Sequence, residues 1–164
     1  MTSVVDTARK HKHAYARGAD RPLGSYLGTL AVYGLSAAGL ALLARGRTPR
    51  VSFSDLALMT ITTHKLSRLI AKDPVTSPLR APFTRYEGTS GPAELHEEVR
   101  GHGARHAVGE LVTCPFCLSQ WVATGYTAGM LFAPAATRVV GTTMTAVAGS
   151  DWLQLAYARL QQEV

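Results

Sequence analysis

The sharpest chemical signal in the chain is Cys114-Pro115-Phe116-Cys117, two thiols three positions apart. An uncharged apolar run follows, so both sulfurs belong in the first turn of a helix. Proline suits that turn, because its missing N–H would have been unpaired there anyway. A helix N-terminus also stabilises thiolate, the form of sulfur that attacks electrophiles and binds metal. Three readings fit the spacing. Half of a zinc site would need two more ligands, and His96, His102 and His106 are the nearest candidates. A redox pair fits too, although no βαβ pattern surrounds it. The third reading is two small apolar residues packed at a helix entrance. Gly101 and Gly103 interrupt the histidine run, so those rings do not share one rigid helix face.

Other site chemistries lack their motifs. No Walker-type GxxxxGK[ST], HExxH, GxSxG or Rossmann glycine pattern is present. His11 and His13 lie among Arg9, Lys10 and Lys12 in a basic N-terminal tail, residues 1–22, without the interleaved aromatics of a nucleic-acid reader. Anionic lipid headgroups are the simpler partner for that tail. No nucleic acid is expected.

The elements that must position these residues are set by apolar length. The chain has 164 residues, 46% hydrophobic and 17% charged, with a net charge of +6. A typical soluble domain carries roughly 25% charged residues, so the shortage points towards a bilayer. Residues 23–44 contain no Asp, Glu, Lys, Arg or His. As a helix at ~1.5 Å per residue they match a hydrocarbon core of about 30 Å. Residues 53–71 are less pure, with Asp55, His64, Lys65 and Arg68 inside them, and Ser52 with Asp55 resembles a capping box. Two further apolar helices are expected over 116–136 and 138–158, with Pro134 to Arg138 as their turn. An alternative has Gly149, Ser150 and Asp151 breaking the last helix. Residues 72–113 form one long polar segment with Pro74, Pro78, Pro82 and Pro92. Proline spacing predicts an extended stretch from Pro74 to Pro82, with Arg80 and Arg85 near lipid phosphates. Only Pro92 to Arg100 reads as helical, with Glu94, Glu97 and Glu98 as its solvated face. The expected fold is all-α: an integral membrane protein of about four helices, with a family-like membrane domain over 53–158 and a cytoplasmic polar segment.

Charge sets the orientation. With the N-terminus inside, thirteen Lys and Arg lie on the inner side and four on the outer. Both termini are then cytoplasmic in a multi-pass protein of the cell membrane. In that arrangement Lys65, Arg68 and Asp151 reach similar depths. An unpaired charge at that depth costs several kcal/mol, so Asp151 is expected to face the bundle interior and neutralise Arg68 or Lys65. The competing reading has Asp151 capping a terminal helix and pairing with nothing.

Two blocks carry a resemblance: HKLSRLIAKDPVTSPLRAPF at 64–83 and ELVTCPFCLSQW at 110–121. In them the chain resembles the bacterial domain of unknown function 1360 family of small integral membrane proteins, some of whose members are labelled sporulation protein. The resemblance implies that Arg68, Asp73, Arg80, Pro82, Phe83, Cys114, Cys117 and Trp121 are signature positions. Many members have Cys-x-Trp-Cys followed by Gly, where this chain has Phe116 and Leu118. Membrane location is what the resemblance implies; it supplies no reaction. The sequence therefore points to a non-enzymatic structural or interaction-bearing protein of the bacterial cytoplasmic membrane, with the lipid bilayer as its surroundings. The alternative is a membrane thiol or metal-binding protein that uses Cys114 and Cys117.

Overall fold

The computed structural model describes residues 4–17, 21–47 and 50–162. The tail residues 1–3 and 18–20 lie outside the described residues, and so do Thr48, Pro49, Glu163 and Val164. The fold is mostly helical. A basic helix α1 (Val4–Ala16) is followed by α2 (Leu23–Leu43) and α3 (Phe53–Lys72). A 3₁₀ turn (Pro74–Thr76) and the short α4 (Ser77–Arg80) lead into strands β1 (Thr84–Gly91) and β2 (Glu94–Val99). Helices α5 (Ala104–Thr113), α6 (Pro115–Phe132) and α7 (Pro134–Gln162) complete the chain.

Local chemistry explains the helix ends. Ser52 Oγ accepts the Asp55 N–H at 3.1 Å, and Asp55 Oδ2 accepts the Ser52 N–H at 3.0 Å, so two orphan donors of α3 are satisfied reciprocally. Between α6 and α7 only Ala133 leaves the helical region, at φ −145° and ψ 58°. The expected turn over Pro134 to Arg138 is therefore absent: Pro134 already opens α7, where proline's fixed φ suits the first turn. Gly129 makes so sharp a reversal feasible, since a Cβ there would lie 2.5 Å from Thr137 Oγ1. Helix α7 also runs without interruption through Gly149, Ser150 and Asp151. Its i→i−4 ladder outlasts the local turn propensity of those residues.

Contacts fix the relative directions of the long helices. Arg138 meets Asp55 at 2.7 Å, the Thr62 hydroxyl donates to the Gly141 carbonyl at 3.2 Å, and Lys65 meets Asp151 at 2.5 Å. Both numbers rise together, so α3 and α7 run parallel. Helix α6 is antiparallel to them, because a one-residue break folds it back onto α7. Helix α2 runs with α6: Tyr33 reaches Thr124, and beyond the end of α2 Arg47 lies over the Phe132 ring.

The segment after α3 departs most from expectation. Residues 84–99 form an antiparallel hairpin, pairing Thr84 with Val99 through Gly91 with Glu94, around a two-residue turn at Pro92 and Ala93. Glu94–Val99 is thus strand where a helix was expected, and the chain is not purely α. Ala93 takes a φ of 56°, a left-handed conformation that halts any helix starting at Pro92. The stretch from Pro74 to Pro82 is not extended either. Pro74 and Pro78 each fall at the start of a short helical turn, where proline costs no hydrogen bond. Helix α5 arises within the part of the polar segment where no helix was expected. It packs so close to the hairpin that a Cβ on Gly109 would lie 2.5 Å from Val99 Cγ1 and 3.2 Å from the Phe83 carbonyl.

Candidate functional site: a buried arginine clamp and a thiol-lined cleft

Two polar centres stand at the same end of the bundle. The first is built around Arg80, which is wholly buried. Its Nε donates to Glu97, whose side chain is 5% exposed. One Nη donates to the Ile70 carbonyl at 2.6 Å and to Thr76 Oγ1 at 2.7 Å, and the other to the Asp73 carbonyl at 3.0 Å. The guanidinium therefore caps the C-terminal carbonyls of α3, groups that the helix itself cannot satisfy. Asp73 caps the following 3₁₀ turn by accepting the Val75 N–H at 2.8 Å. One turn earlier on α3, Arg68 pairs with Glu94. Both arginines thus tie β2 to the end of α3.

This arrangement corrects two expectations and decides a third, in which Asp151 was to pair with Arg68 or Lys65. Arg80 does not face lipid phosphate, because Glu97 already neutralises it inside the protein. Glu94 and Glu97 are ion-pair partners rather than a solvated face. Arg68 is not the partner of Asp151, since it lies where it meets the hairpin. Lys65 takes Asp151 instead, with the lysine side chain 17% exposed and the aspartate 43%. The expected inward-facing carboxylate is therefore only half-covered.

Pro82 and Phe83 belong to the same clamp through their backbones. The Arg105 guanidinium donates to the Pro82 carbonyl at 2.9 Å. The Arg100 N–H reaches the Phe83 carbonyl at 2.9 Å, and its side chain reaches the Ala81 carbonyl at 2.8 Å.

The second centre lies where α5 turns into α6 beside α2. Cys114 is the N-cap of α6, and its sulfur accepts the Cys117 N–H at 3.2 Å. Both thiols are free, Cys114 half-buried and Cys117 exposed. Cys117 opens onto a cavity of about 290 Å³ between α2, α5 and α6, lined also by Tyr26, Leu30, Tyr33, Glu110 and Trp121. Trp121 meets Tyr33 edge-on with ring centroids 5.2 Å apart. Glu110 closes one end: it accepts from the Tyr26 hydroxyl, pairs with Arg21 at 2.9 Å, and lies 3.4 Å from His106 Nε2. Burial alone would raise its carboxyl pKa, but Tyr26, Arg21 and His106 together hold it below the usual value.

The histidines proposed as zinc ligands do not join the thiols. His96 sits on exposed β2 opposite Gly88, His102 lies in the loop before α5, and His106 faces the Gly101 carbonyl and Glu110. Among the described residues, no three His, Cys, Asp or Glu side chains gather as a metal site requires. His64, exposed on α3, lies against Trp152 with ring centroids 6.4 Å apart. Glu110 is the residue that sequence reasoning missed. Its signal was present, as a lone acid in the run Ala-Val-Gly-Glu-Leu-Val ahead of the cysteines.

No solved structure matches the chain. A curated relative, the sporulation protein YjcA of Bacillus subtilis, is 30% identical over 71 residues. The match covers 42% of this chain and 60% of the relative's length. The family model described as a protein of unknown function, DUF1360, matches residues 58–157, which include the α3 clamp, the hairpin and the thiol elbow. The chain belongs to the DUF1360 family.

Proposed function

We propose that this chain is a multi-pass protein of the bacterial cytoplasmic membrane, crossed by α2, α3, α6 and α7, with a structural or partner-binding role there. The observation that carries this reading is the inverted distribution of polarity. Leu27, Leu30, Val32 and Leu35 on α2, and Val139, Val140, Trp152 and Leu153 on α7, are all exposed. Asp55, Thr62, Ser67, Arg80 and Thr84 are buried. Water would penalise the first set, and a bilayer would favour it. Helix α2 has no buried residue, and by length and composition it is long and apolar enough to cross a bilayer. The alternating directions of α2, α3, α6 and α7 suit four successive crossings.

In this arrangement the hairpin, the clamp and α5 lie together on the cytoplasmic side with both termini. They form a small charged platform against the headgroups, with α1 as a basic arm for anionic lipid. A membrane-held platform of this kind also suits the sporulation role in the relative's name. Alkaline carbonate washing tests the reading: the protein is expected to stay with the membrane pellet, and release into the supernatant would overturn it. Reporter fusions after Arg47 and after Gln162 are expected to report opposite sides. Agreement between the two reporters would remove the four-crossing arrangement.

A further inference from the structure

We propose that Cys114 and Cys117 are a redox-active dithiol that exchanges with thiol or disulfide substrates entering the cleft between α2, α5 and α6. Three features of the elbow point to this chemistry. Both side chains leave the first turn of α6, with the Cys117 N–H 3.2 Å from Cys114 Sγ. They are also not equivalent. Cys114 Sγ sits at the N-terminus of an eighteen-residue helix and accepts the Cys117 N–H. Cys117 faces the open cavity, which Glu110 also lines. Finally, the cavity supplies Tyr26, Leu30, Tyr33 and Trp121 as apolar walls for the body of a substrate. Its volume of about 290 Å³ is at the small end of ligand pockets, enough for a short side chain or one aromatic ring.

The asymmetry assigns the steps. In the oxidised pair an incoming thiolate attacks Cys117 Sγ, the sulfur that faces the cleft. The protein S–S bond breaks and its electron pair passes to Cys114 Sγ, which the Cys117 N–H faces. A second substrate thiolate attacks the substrate sulfur of the mixed disulfide, releases Cys117 and leaves as a disulfide. Two electrons have moved from two thiols to the protein. The two substrate protons end on the two protein sulfurs. In reverse, Cys117 loses its proton to solvent, attacks a disulfide and expels one substrate thiolate; Cys114, losing its own proton, then attacks Cys117 Sγ, re-forms the protein bridge and expels the second, and the two thiolates take up the two protons. This chemistry does not depend on the number of membrane crossings, so it and the membrane reading fail separately.

The full chain in detergent, equilibrated with graded mixtures of glutathione and glutathione disulfide, tests the proposal. Acid quenching, alkylation and intact-mass measurement count the thiols. Both are expected to disappear together, within one monomer, over a single two-electron transition. The Cys114→Ser variant is expected to trap glutathione on Cys117, with about tenfold less trapped on Cys114 in Cys117→Ser. Thiols that oxidise independently, that bridge only between chains, or that react with alkylator only after chelation would each overturn the proposal. The last of these would mark a metal-bound pair. Leu30→Trp narrows the cleft without replacing either sulfur. It is expected to leave the equilibrium position unchanged while slowing exchange with dithiobis(nitrobenzoate) about tenfold more than exchange with cystamine. Equal slowing of both, or of neither, would remove the cleft from the substrate's path.

Discussion

The two polar centres at the same end of the bundle are built on opposite principles. Around Arg80 the named donors have acceptors, the guanidinium is fully buried, and side chains from α3, α4 and the hairpin close on one another. Around Cys117 the contacts are few and directional, and a cavity remains between α2 and the elbow of α5 and α6. Helix α2 buries none of its residues and is attached through Tyr26, Tyr33 and Arg21. A satisfied buried network fixes one geometry, whereas a partly open polar contact leaves room for a second. The clamp is a scaffold, and the cleft is where the molecule has freedom to act.

The strongest way to break this comparison is to empty the clamp. Arg80→Met leaves the buried Glu97 carboxylate without its cation and the last carbonyls of α3 without their cap. Removing one partner of a buried pair costs about 3–5 kcal/mol, a large share of a stability of roughly 5–15 kcal/mol. Loss of folded protein after detergent extraction is expected, with partial recovery in Arg80→Met combined with Glu97→Leu. If Arg80→Met melts like the parent protein, the scaffold reading fails. A milder probe of the same region is Gly109→Ala, whose Cβ would press on Val99 and the Phe83 carbonyl. Overpacking there is expected to cost about 1–3 kcal/mol. Gly125→Ala on α6, with nothing within 4 Å of the added Cβ, provides the comparison and is expected to leave thermal unfolding unchanged.

These outcomes also measure how much the sequence disclosed. Long uncharged runs announce helices such as α2 and α6, because apolar length is a one-dimensional property. Ser52 and Asp55, three positions apart, disclosed their capping box for the same reason. Arg80 and Glu97 are seventeen positions apart and belong to different kinds of element, so no local window pairs them. The hairpin was hidden because Glu-Leu-His-Glu-Glu-Val does not alternate cleanly between apolar and polar residues. It is held by ion pairs to Arg68 on α3 and Arg80 on α4 and by α5 packing, and the register shifts around Gly88 and Gly91 obscure its period further. The signature residues were visible as a set, yet their role as a clamp depends on where α3 ends in space.

Between the two centres in strength lies the pair of Lys65 and Asp151. Asp151→Leu strands a lysine whose side chain is 17% exposed, and the aspartate's own exposure of 43% moderates the effect. A loss of about 1–2 kcal/mol is expected in detergent. Exchanging the two residues as Lys65→Asp with Asp151→Lys should recover part of it. In a bilayer the loss should grow, because water no longer solvates the stranded cation. Equal losses in micelles and in lipid nanodiscs would place the pair outside the hydrocarbon.

The smallest expected effect belongs to the cleft, and its dependence on pH identifies it. Glu110 receives the Tyr26 hydroxyl and faces Arg21 and His106, and these groups hold its carboxyl below the ordinary value of 4.5. A carboxylate with a lowered pKa contributes docking energy that is fully present above 4.5 and is lost as pH falls through the lowered value. Helix α2 should therefore stay seated on α5 at neutral and mildly acidic pH and loosen only in strong acid. Glu110→Gln removes the charge but keeps an acceptor for Tyr26, so the docking should weaken by about 1 kcal/mol and its pH dependence should vanish. Trp121 fluorescence reports the event, because Tyr33 packs on that ring only while α2 is seated. The Arg80 clamp gives the contrast: the unfolding temperature of Glu110→Gln should change little, since the scaffold does not use α2. A variant that lost the whole fold along with the α2 contact would show that the two centres are one cooperative unit and that the cleft has no freedom of its own.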